Sequence, residues 1–306
     1  MGLNFGLVGI GRWGRNYIAS LEKIKGCSLR WVCSRRKESL QNPLIPYVKK
    51  TTNIEDILSD KNTQAVIIAT PASTHYQLAK RALLHDKHVL LEKPGSLNSA
   101  NISELFRISA KRGKVLLIGF EFLFHPAIEY LKKVLRRETI QFVEYVHTGN
   151  SPRREDINVL WDYFPHFFSI LGYLDIKNIQ PVSVLGKAYK GRQEDIVSAH
   201  FKSGKAAISA FSAWEYPKKR TQLTISTNRG VWCFDDQAED KLVFHFHKGN
   251  KLENKKVALS FGAPLTLEIM HFMECIRKNV SPITNVGFCL EVIKSLEAAQ
   301  KALKRL

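Results

Sequence analysis

The chain has 306 residues, a length that is comfortable for two domains. Its hydrophobic fraction of 44% and its charged fraction of 24% are close to globular averages, and they exclude a disordered or fibrous chain. Lys and Arg number 46 against 28 Asp and Glu, so the net charge is +18. Such a field attracts nucleic acid, anionic membrane or phosphorylated small molecules.

The first third of the chain alternates strand-like and helix-like segments. The strand-like segments are residues 5–10, 29–34, 64–70, 88–92 and 115–120. The helix-like segments are residues 12–25, 53–58, 73–85 and 100–112, and the stretch around Pro43 and Pro46 is expected to be a loop. Strands that alternate with helices pair in parallel, and fully apolar strands are typical of a sheet covered on both faces. The sequence therefore predicts a doubly wound parallel sheet in residues 1–120.

The pattern changes after residue 120. Helices are predicted at residues 126–137 and 162–174, and the strand predicted between them at 140–147 alternates with a period of two. Strand candidates separated by turn signals fill residues 182–247, and residues 249–256 are expected to be a polar loop. Two closing helices are predicted at 265–278 and 286–304, and the last is expected to pack back on the first domain. Residues 121–306 are expected to form a second α/β domain with a large, open, mostly antiparallel sheet.

Basic residues are scattered in short clusters rather than gathered in one arm. The clusters are Arg35-Arg36-Lys37, Lys49-Lys50, Lys132-Lys133, Arg136-Arg137, Arg153-Arg154 and Lys218-Lys219-Arg220. The sequence has no recognition-helix or zinc-finger pattern, so nucleic acid is not an expected partner. An anionic substrate would benefit from the same positive field.

The cysteines and the N-terminus indicate the compartment. The five cysteines show neither metal nor redox spacing, so reduced thiols are expected. The N-terminus lacks the basic region of a signal peptide, and no apolar run approaches the ~18–20 residues of a membrane span. His245 and His247 share a strand face without an evident third ligand, so no metal site is expected. The sequence predicts a soluble, cytoplasmic protein with no membrane partner.

The run Gly9-Ile10-Gly11-Arg12-Trp13-Gly14 follows the first predicted strand and opens the first helix. Gly9 allows a tight turn, Gly11 lets the backbone approach a pyrophosphate, and Gly14 lets the helix pack closely on the strand. The pyrophosphate would rest on the helix N-terminus, where unpaired N–H groups favour anions. The run predicts a dinucleotide-binding site.

The second predicted strand ends in Cys33-Ser34-Arg35. An NAD-specific site usually places Asp or Glu here to bind the ribose 2′-hydroxyl, and this sequence has none. A carboxylate would repel a 2′-phosphate, whereas Ser34 and Arg35 would bind one. The sequence therefore favours NADP(H) over NAD(H), with ordinary surface arginines as the alternative interpretation.

Two further strand ends carry candidate site residues. Thr70 and Pro71 end one strand, and His75 lies in the first turn of the next helix. Glu92 and Lys93 end the following strand, and a proline fixes the turn after them. Cofactors lie at this edge of a parallel sheet, and a lysine there can donate to a substrate oxygen beside a nicotinamide.

These motifs together resemble the Gfo/Idh/MocA family of glucose–fructose oxidoreductase, inositol dehydrogenase and rhizopine-catabolism proteins. The resemblance covers nearly the whole chain. It rests on residues 9–14, 70–75, 92–94, 119–126, 161–166 and 291–300. Residues 9–16, 122–127, 159–166 and 214–220 resemble bacterial members linked to surface-polysaccharide and nucleotide-sugar metabolism.

The resemblance implies a Rossmann domain that binds NAD(P), and a second domain whose open sheet supports the substrate site and commonly a homo-oligomer interface, in a dimer or tetramer. It implies that His166 moves a proton at the reacting carbinol, that Asp162 orients it or binds a sugar hydroxyl, and that Lys93 binds the same substrate oxygen. A spacing of four puts Asp162 and His166 on one helix face, and imidazole titrates near neutrality.

The implied function is NAD(P)-dependent hydride transfer between nicotinamide and a carbinol or keto carbon of a sugar or nucleotide sugar. The alternative is a non-catalytic NAD(P)-binding sensor or regulator of the same fold, against which the joint presence of Lys93, Asp162 and His166 argues. Two positions depart from the family's pattern: Ser169 stands where many members have Asp, and Phe120 where the similar branch commonly has His.

Overall fold

The computed structural model describes residues 2–41, 47–150, 152–189, 191–260 and 262–306. The chain divides into two compact units: unit 1 comprises Met1–Phe124 and Gly262–Ile293, and unit 2 comprises His125–Phe261 and Lys294–Leu306. The segment from residue 262 to residue 293 thus belongs to unit 1, whereas the sequence-based boundary assigned everything after residue 120 to the second domain. The loop expected around Pro43 and Pro46 lies outside the described residues.

The described part of the chain contains eight α-helices. They are α1 (Arg12–Leu21), α2 (Glu55–Ser59), α3 (His75–Leu84), α4 (Ser99–Lys111), α5 (Pro126–Leu135), α6 (Val159–Tyr173), α7 (Pro264–Lys278) and α8 (Val286–Ala302). Short 3₁₀ turns precede α3 and α5, at Ala72–Thr74 and Glu121–Phe124.

Fifteen strands lie in the same described ranges. Those of unit 1 are β1 (Leu3–Val8), β2 (Cys27–Cys33), β3 (Lys49–Thr51), β4 (Ala65–Ile68), β5 (His88–Glu92) and β6 (Leu116–Gly119). Those of unit 2 are β7 (Ile140–Thr148), β8 (Gln180–Lys187), β9 (Ile196–Ser203), β10 (Ala206–Ala213), β11 (Arg220–Thr227), β12 (Gly230–Asp235), β13 (Leu242–Lys248), β14 (Lys251–Lys256) and β15 (Leu303–Arg305).

Unit 1 is built on a six-stranded sheet in the order β3-β2-β1-β4-β5-β6, with every neighbouring pair parallel. β4 is apolar and wholly buried, as a parallel sheet with two covered faces requires. On one face, Phe5 of β1 packs with Ile18 of α1 and Phe272 of α7 in one hydrophobic core. The carboxyl ends of all six strands therefore lie at one edge of the sheet, which is where a doubly wound fold binds ligands.

Unit 2 is built on a nine-stranded sheet in the order β14-β13-β12-β11-β7-β10-β9-β8-β15. Its pairs are antiparallel except β10 with β7 and β15 with β8. Helix α6 packs on β9 and β10. Its Phe164, Phe167 and Phe168 form an aromatic cluster with Phe201 of β9, so these rings serve the core. The predicted fold class, a doubly wound parallel sheet with a second α/β domain, is confirmed.

The prediction of a polar loop at residues 249–256 is wrong, because Lys251–Lys256 forms β14 and pairs with β13 in register. β14 is the edge of its sheet and exposes both faces, so its sequence carries no hydrophobic alternation to reveal a strand. Among the described residues, no helix combines the length and apolar character that crossing a membrane would require.

Candidate active site

The turn between β1 and α1 has the shape that its three glycines predict. Gly9 has a φ of +96°, and its N–H donates to the carbonyl of Cys33 at 2.9 Å. A Cβ on Gly14 would lie 2.0 Å from the carbonyl oxygen of Gly9, so only glycine allows this approach of helix to strand. A Cβ on Gly11 would meet no atom of the described residues within 4 Å. The backbone at Gly11 is therefore open to a ligand, whereas Gly9 and Gly14 serve the turn.

The N-terminus of α1 suits an anion. Gly11 is the N-cap and offers no side-chain cap, and the described helix α1 has no acidic residue in its first turn. Its first N–H groups and the positive end of its dipole therefore point toward the open space at Gly11. Ile10 is buried beneath the turn, Trp13 is half-buried and Arg12 is exposed at the helix start. A pyrophosphate fits this turn.

Ser34 and Arg35 follow the carboxyl end of β2, next to the glycine turn. The Ser34 N–H donates to the carbonyl of Thr51 at 3.1 Å, and Ser34 Oγ accepts from the Arg36 N–H at 3.2 Å, which fixes the bend of the chain. Arg35 is exposed. Burial, with a smaller contribution from Asp56, raises the pKa of the neighbouring Cys33 thiol to about 11, so this strand end adds no negative charge at neutral pH.

The turn after β4 contains Thr70, Pro71 and His75. Thr70 Oγ1 and Thr74 Oγ1 are 2.7 Å apart, and Thr74 Oγ1 donates to the carbonyl of Pro71 at 2.7 Å. His75 is buried, and its Nε2 lies 2.8 Å from the carbonyl oxygen of Thr70. The buried His75 ring thus stabilises the turn through its contact with the Thr70 carbonyl, while Thr70 and Pro71 form the outer edge of the turn.

Glu92 and Lys93 stand at the carboxyl end of β5, and both are buried, Lys93 with 6% of its surface exposed. Glu92 Oε1 accepts a hydrogen bond from Tyr17 of α1 at 2.9 Å. The Lys93–Pro94 peptide bond is cis. Unit 1 therefore brings the glycine turn and the ends of β2, β4 and β5 to the same sheet edge, as the sequence predicts.

In unit 2, Asn158 caps α6 by accepting from the Trp161 N–H at 3.1 Å, and this places Asp162 in the first turn. Asp162 Oδ2 accepts from the indole N–H of Trp214 at 3.0 Å. Its other oxygen, Oδ1, lies 3.5 Å from Arg154 Nη1. Both oxygens of this buried carboxylate are thus held by donors.

His166 lies one turn after Asp162 on α6 and is buried. The ring of His147, from β7, lies 5.7 Å from that of His166 and stacks 4.0 Å from that of Tyr163. His147 Nδ1 is 2.9 Å from the hydroxyl of buried Tyr145, which fixes the His147 ring.

Sequence reasoning singled out neither His147 nor Tyr163, although the period-two alternation of β7 puts Tyr145 and His147 on one face. Ser169, at the position where many family members have Asp, is buried and donates to the carbonyl of His166 at 2.9 Å.

Both arginines of the Arg153-Arg154 cluster are already engaged with carboxylates. Arg153 pairs with Asp195 at 3.1 Å and with Glu215 at 3.2 Å. Within the described ranges, no group of three or more His, Cys, Asp or Glu side chains is arranged to hold a metal ion.

A parallel sheet of this strand order, with a glycine turn after its first strand, is the architecture of dinucleotide-binding Rossmann proteins, and unit 1 is one of them. Residues 3–120 match the family described as oxidoreductase family, NAD-binding Rossmann fold. Over these residues the chain is similar to the Gfo/Idh/MocA family, in agreement with the resemblance found in its motifs.

A relative from Synechocystis, the uncharacterized oxidoreductase sll0816, is 42% identical over 83 residues, which are 27% of this chain and 22% of that protein. The matched stretch thus spans about a fifth of the relative's length.

Two solved structures share the fold of the whole chain. UDP-N-acetylglucosamine 3-dehydrogenase GnnA from Acidithiobacillus ferrooxidans is 21% identical, with a TM-score of 0.84 over 99% of this chain and 98% of that one. The 3-ketoreductase KijD10 from Actinomadura kijaniata, in complex with NADP and TDP-benzene, is 17% identical, with a TM-score of 0.90 over 100% of this chain and 99% of that one.

Proposed function

We propose that this protein is an NAD(P)-dependent oxidoreductase acting on a carbinol or keto carbon of a sugar or nucleotide sugar. The observation that carries the proposal is Lys93, a lysine buried at the carboxyl end of β5 in a dinucleotide-binding sheet. Burying a lysine is expensive unless its environment uses the charge, and a substrate oxygen beside a nicotinamide is such a use. A bound nicotinamide would supply the hydride acceptor or donor.

The residues of unit 1 divide the work of binding NAD(P). The turn from Gly9 to Gly14 and the start of α1 hold the pyrophosphate, and Ser34 with Arg35 holds a 2′-phosphate, which favours NADP(H). Thr70 and Pro71 line the edge at which Lys93 stands, and the buried ring of His75 keeps their turn in place.

In the proposed reaction, residues of unit 2 transfer the proton of the carbinol hydroxyl. His166 accepts the carbinol proton during oxidation and returns it during reduction, because imidazole changes protonation near neutral pH. Asp162 is an orienting group, since donors already hold both of its oxygens. His147 and Tyr163 form one side of the surroundings of His166.

A nucleotide-linked sugar fits the positive charge of the chain. Of the two structural relatives named above, one is a UDP-N-acetylglucosamine dehydrogenase and the other is in complex with TDP-benzene. Lys218 and Lys219 are exposed near the end of β10 and are available to a diphosphate, unlike the paired Arg153. We propose a cytoplasmic location, because the five cysteines are free thiols, as expected in a reducing compartment. We further propose that the enzyme is a homo-oligomer that takes part in polysaccharide biosynthesis.

The proposal is tested by incubating the protein with NADP⁺ or NAD⁺ and a panel of UDP-sugars, TDP-sugars and free sugars. Formation of reduced nicotinamide with at least one nucleotide sugar, and its loss in Lys93→Met, is the expected result. Tight binding of cofactor with no reduction by any member of the panel, and no oxidation of NADPH by keto-sugars, would favour the sensor instead.

A further inference from the structure

Three titratable side chains meet inside unit 1 next to Lys93. Tyr17 of α1 donates to Glu92 Oε1 at 2.9 Å, and its hydroxyl lies 3.3 Å from Oε1 of Glu268 on α7. Tyr17 and Glu268 are fully buried, and Glu92 is 7% exposed. Within the described part of the chain, Glu268 Oε2 has no hydrogen-bond partner. None of these three groups takes part in the proposed chemistry, but Glu92 immediately precedes Lys93.

The protein makes room for this carboxyl group. Gly119 ends β6, and a Cβ there would lie 3.1 Å from Glu268 Oε1 and 3.3 Å from the Tyr17 hydroxyl. An alanine at this position would press on both polar atoms at once. The glycine therefore leaves the space in which Glu268 and Tyr17 meet.

The number of available protons decides which hydrogen bonds Tyr17, Glu92 and Glu268 can form with one another. A phenol has one proton to give, and two carboxyl groups compete for it. Glu121 adds a third carboxyl group to the surroundings of Tyr17 and Glu268. Burial first, then the charges of Glu92 and Glu121, raises the pKa of Glu268 well above its usual value. The raised pKa favours the protonated, neutral form of Glu268.

The direction of the hydrogen bonds among Glu268, Tyr17 and Glu92 follows from the proton on Glu268. A protonated Glu268 can donate to the Tyr17 oxygen across the 3.3 Å contact, which leaves the Tyr17 hydroxyl to donate to Glu92 across the shorter contact of 2.9 Å. Burial and the nearby carboxyl groups raise the pKa of Tyr17 well above its usual value, so the phenol keeps its proton. In this arrangement the negative charge shared by Tyr17, Glu92 and Glu268 rests on Glu92, the residue before Lys93.

We propose that Glu268 is a positioning residue, a neutral buried acid that acts through Tyr17 to fix one negative charge on Glu92 beside Lys93. The assignment of a role at Lys93 rests on the proposed function, whereas the protonation of Glu268 does not. A buried carboxylic acid is otherwise a poor choice for a core position, since a hydrophobic residue of similar volume would avoid desolvating it.

The first experiment measures the free energy of unfolding against pH for the unmodified protein and for Glu268→Gln. The native state holds a proton that the unfolded state releases above the ordinary carboxyl pKa. Native stability therefore falls as pH rises from that value to the native pKa. Relative to Glu268→Gln, the unfolding equilibrium constant of the unmodified protein should rise about tenfold per pH unit in that window.

Glu274→Gln is the matched control for this slope. Glu274 lies on the same helix, is half-exposed and pairs with Lys278. Its replacement should leave the loss of stability with rising pH unchanged. Parallel curves for the unmodified protein and Glu268→Gln would overturn the inference, whatever the enzyme does.

The second experiment measures kcat and the NADP(H) dissociation constant. Glu268→Gln keeps an N–H donor for Tyr17 and should retain turnover within about threefold. Glu268→Met and Tyr17→Phe remove the hydrogen bond between the two side chains. Both should lower kcat about tenfold or more, with cofactor affinity retained. Full kcat in both broken variants would contradict the positioning role. If no substrate is turned over by the unmodified protein, the proposed function fails, and the pH slope alone still decides whether Glu268 is the buried acid.

Discussion

The carboxylate of Asp162 has a more restricted role than its sequence spacing suggests. Trp214 donates to one oxygen, and Arg154 pairs with the other. A carboxylate held in this way is fixed in orientation, and both of its oxygens are already engaged with donors. In the proposed reaction we therefore assign proton transfer to His166, one helical turn away.

Replacing Trp214 by Phe removes the N–H donor and keeps an aromatic ring in its place. Loss of a hydrogen bond to a charged group removes about 1.5–3 kcal/mol, so kcat/KM should fall by ~10- to 100-fold. Trp232→Phe is the matched control, because Trp232 of β12 is also buried and donates to Glu138 at 3.0 Å. Equal effects of the two substitutions on kcat/KM at equal loss of stability would contradict the role assigned to Trp214.

His166→Asn preserves volume and some hydrogen bonding but cannot titrate. We expect kcat to fall steeply and the neutral limb of its pH profile to flatten, because that limb should report an imidazole. Asp162→Asn should be milder or should shift the limb. An unchanged limb in His166→Asn would move the proton transfer to Lys93 or to water.

In the proposed function, the preference for NADP(H) over NAD(H) depends on Arg35. NADP(H) should bind at least ~10-fold more tightly than NAD(H), since one charge-assisted contact contributes roughly 1.5–3 kcal/mol. Arg35→Ala should abolish this difference in titration calorimetry, while Lys37→Ala, which removes another exposed cation two residues on, should not. Equal affinities for the two cofactors in the unmodified protein would overturn the assignment.

At the scale of elements, different glycines of the turn between β1 and α1 serve stability and cofactor binding. Gly14→Ala drives a Cβ to 2.0 Å from the Gly9 carbonyl, so thermal denaturation should show a loss of about 2 kcal/mol or more. Gly11→Ala meets open space, so its cost is that of a poorer N-cap residue, roughly 0.5–1 kcal/mol, yet it should weaken cofactor binding strongly. A Gly11→Ala protein that binds cofactor normally would remove the pyrophosphate from this turn.

Elements with a strong hydrophobic pattern were predictable from the sequence, and polar or very short ones were not. His88–Glu92 was predicted to the residue, because an apolar run between polar neighbours marks a buried strand. β3 and β15 have three residues each, too few to show a period, and β14 is polar on both faces. These strands exist because a neighbouring strand pairs with them, which no local pattern records.

At the scale of the whole molecule, contacts between distant residues limited the prediction of the site. The turn motifs are local, so the glycine turn and Lys93 could be read directly. The bond between Trp214 and Asp162 joins residues 52 positions apart, and Tyr17 and Glu268 are 251 positions apart. Only the topology brings such pairs together, and without it Glu268 is one more carboxylate on a predicted helix.

The central claim is hydride transfer, and it is tested most directly by following the hydrogen itself. A nucleotide sugar that turns over is prepared with deuterium on the carbons of its sugar ring and is incubated with the protein and NADP⁺. The reduced cofactor should carry one deuterium by mass spectrometry, and Lys93→Met should yield almost none in the same time. Reduced cofactor without deuterium, or no reduced cofactor with any substrate, would contradict the account.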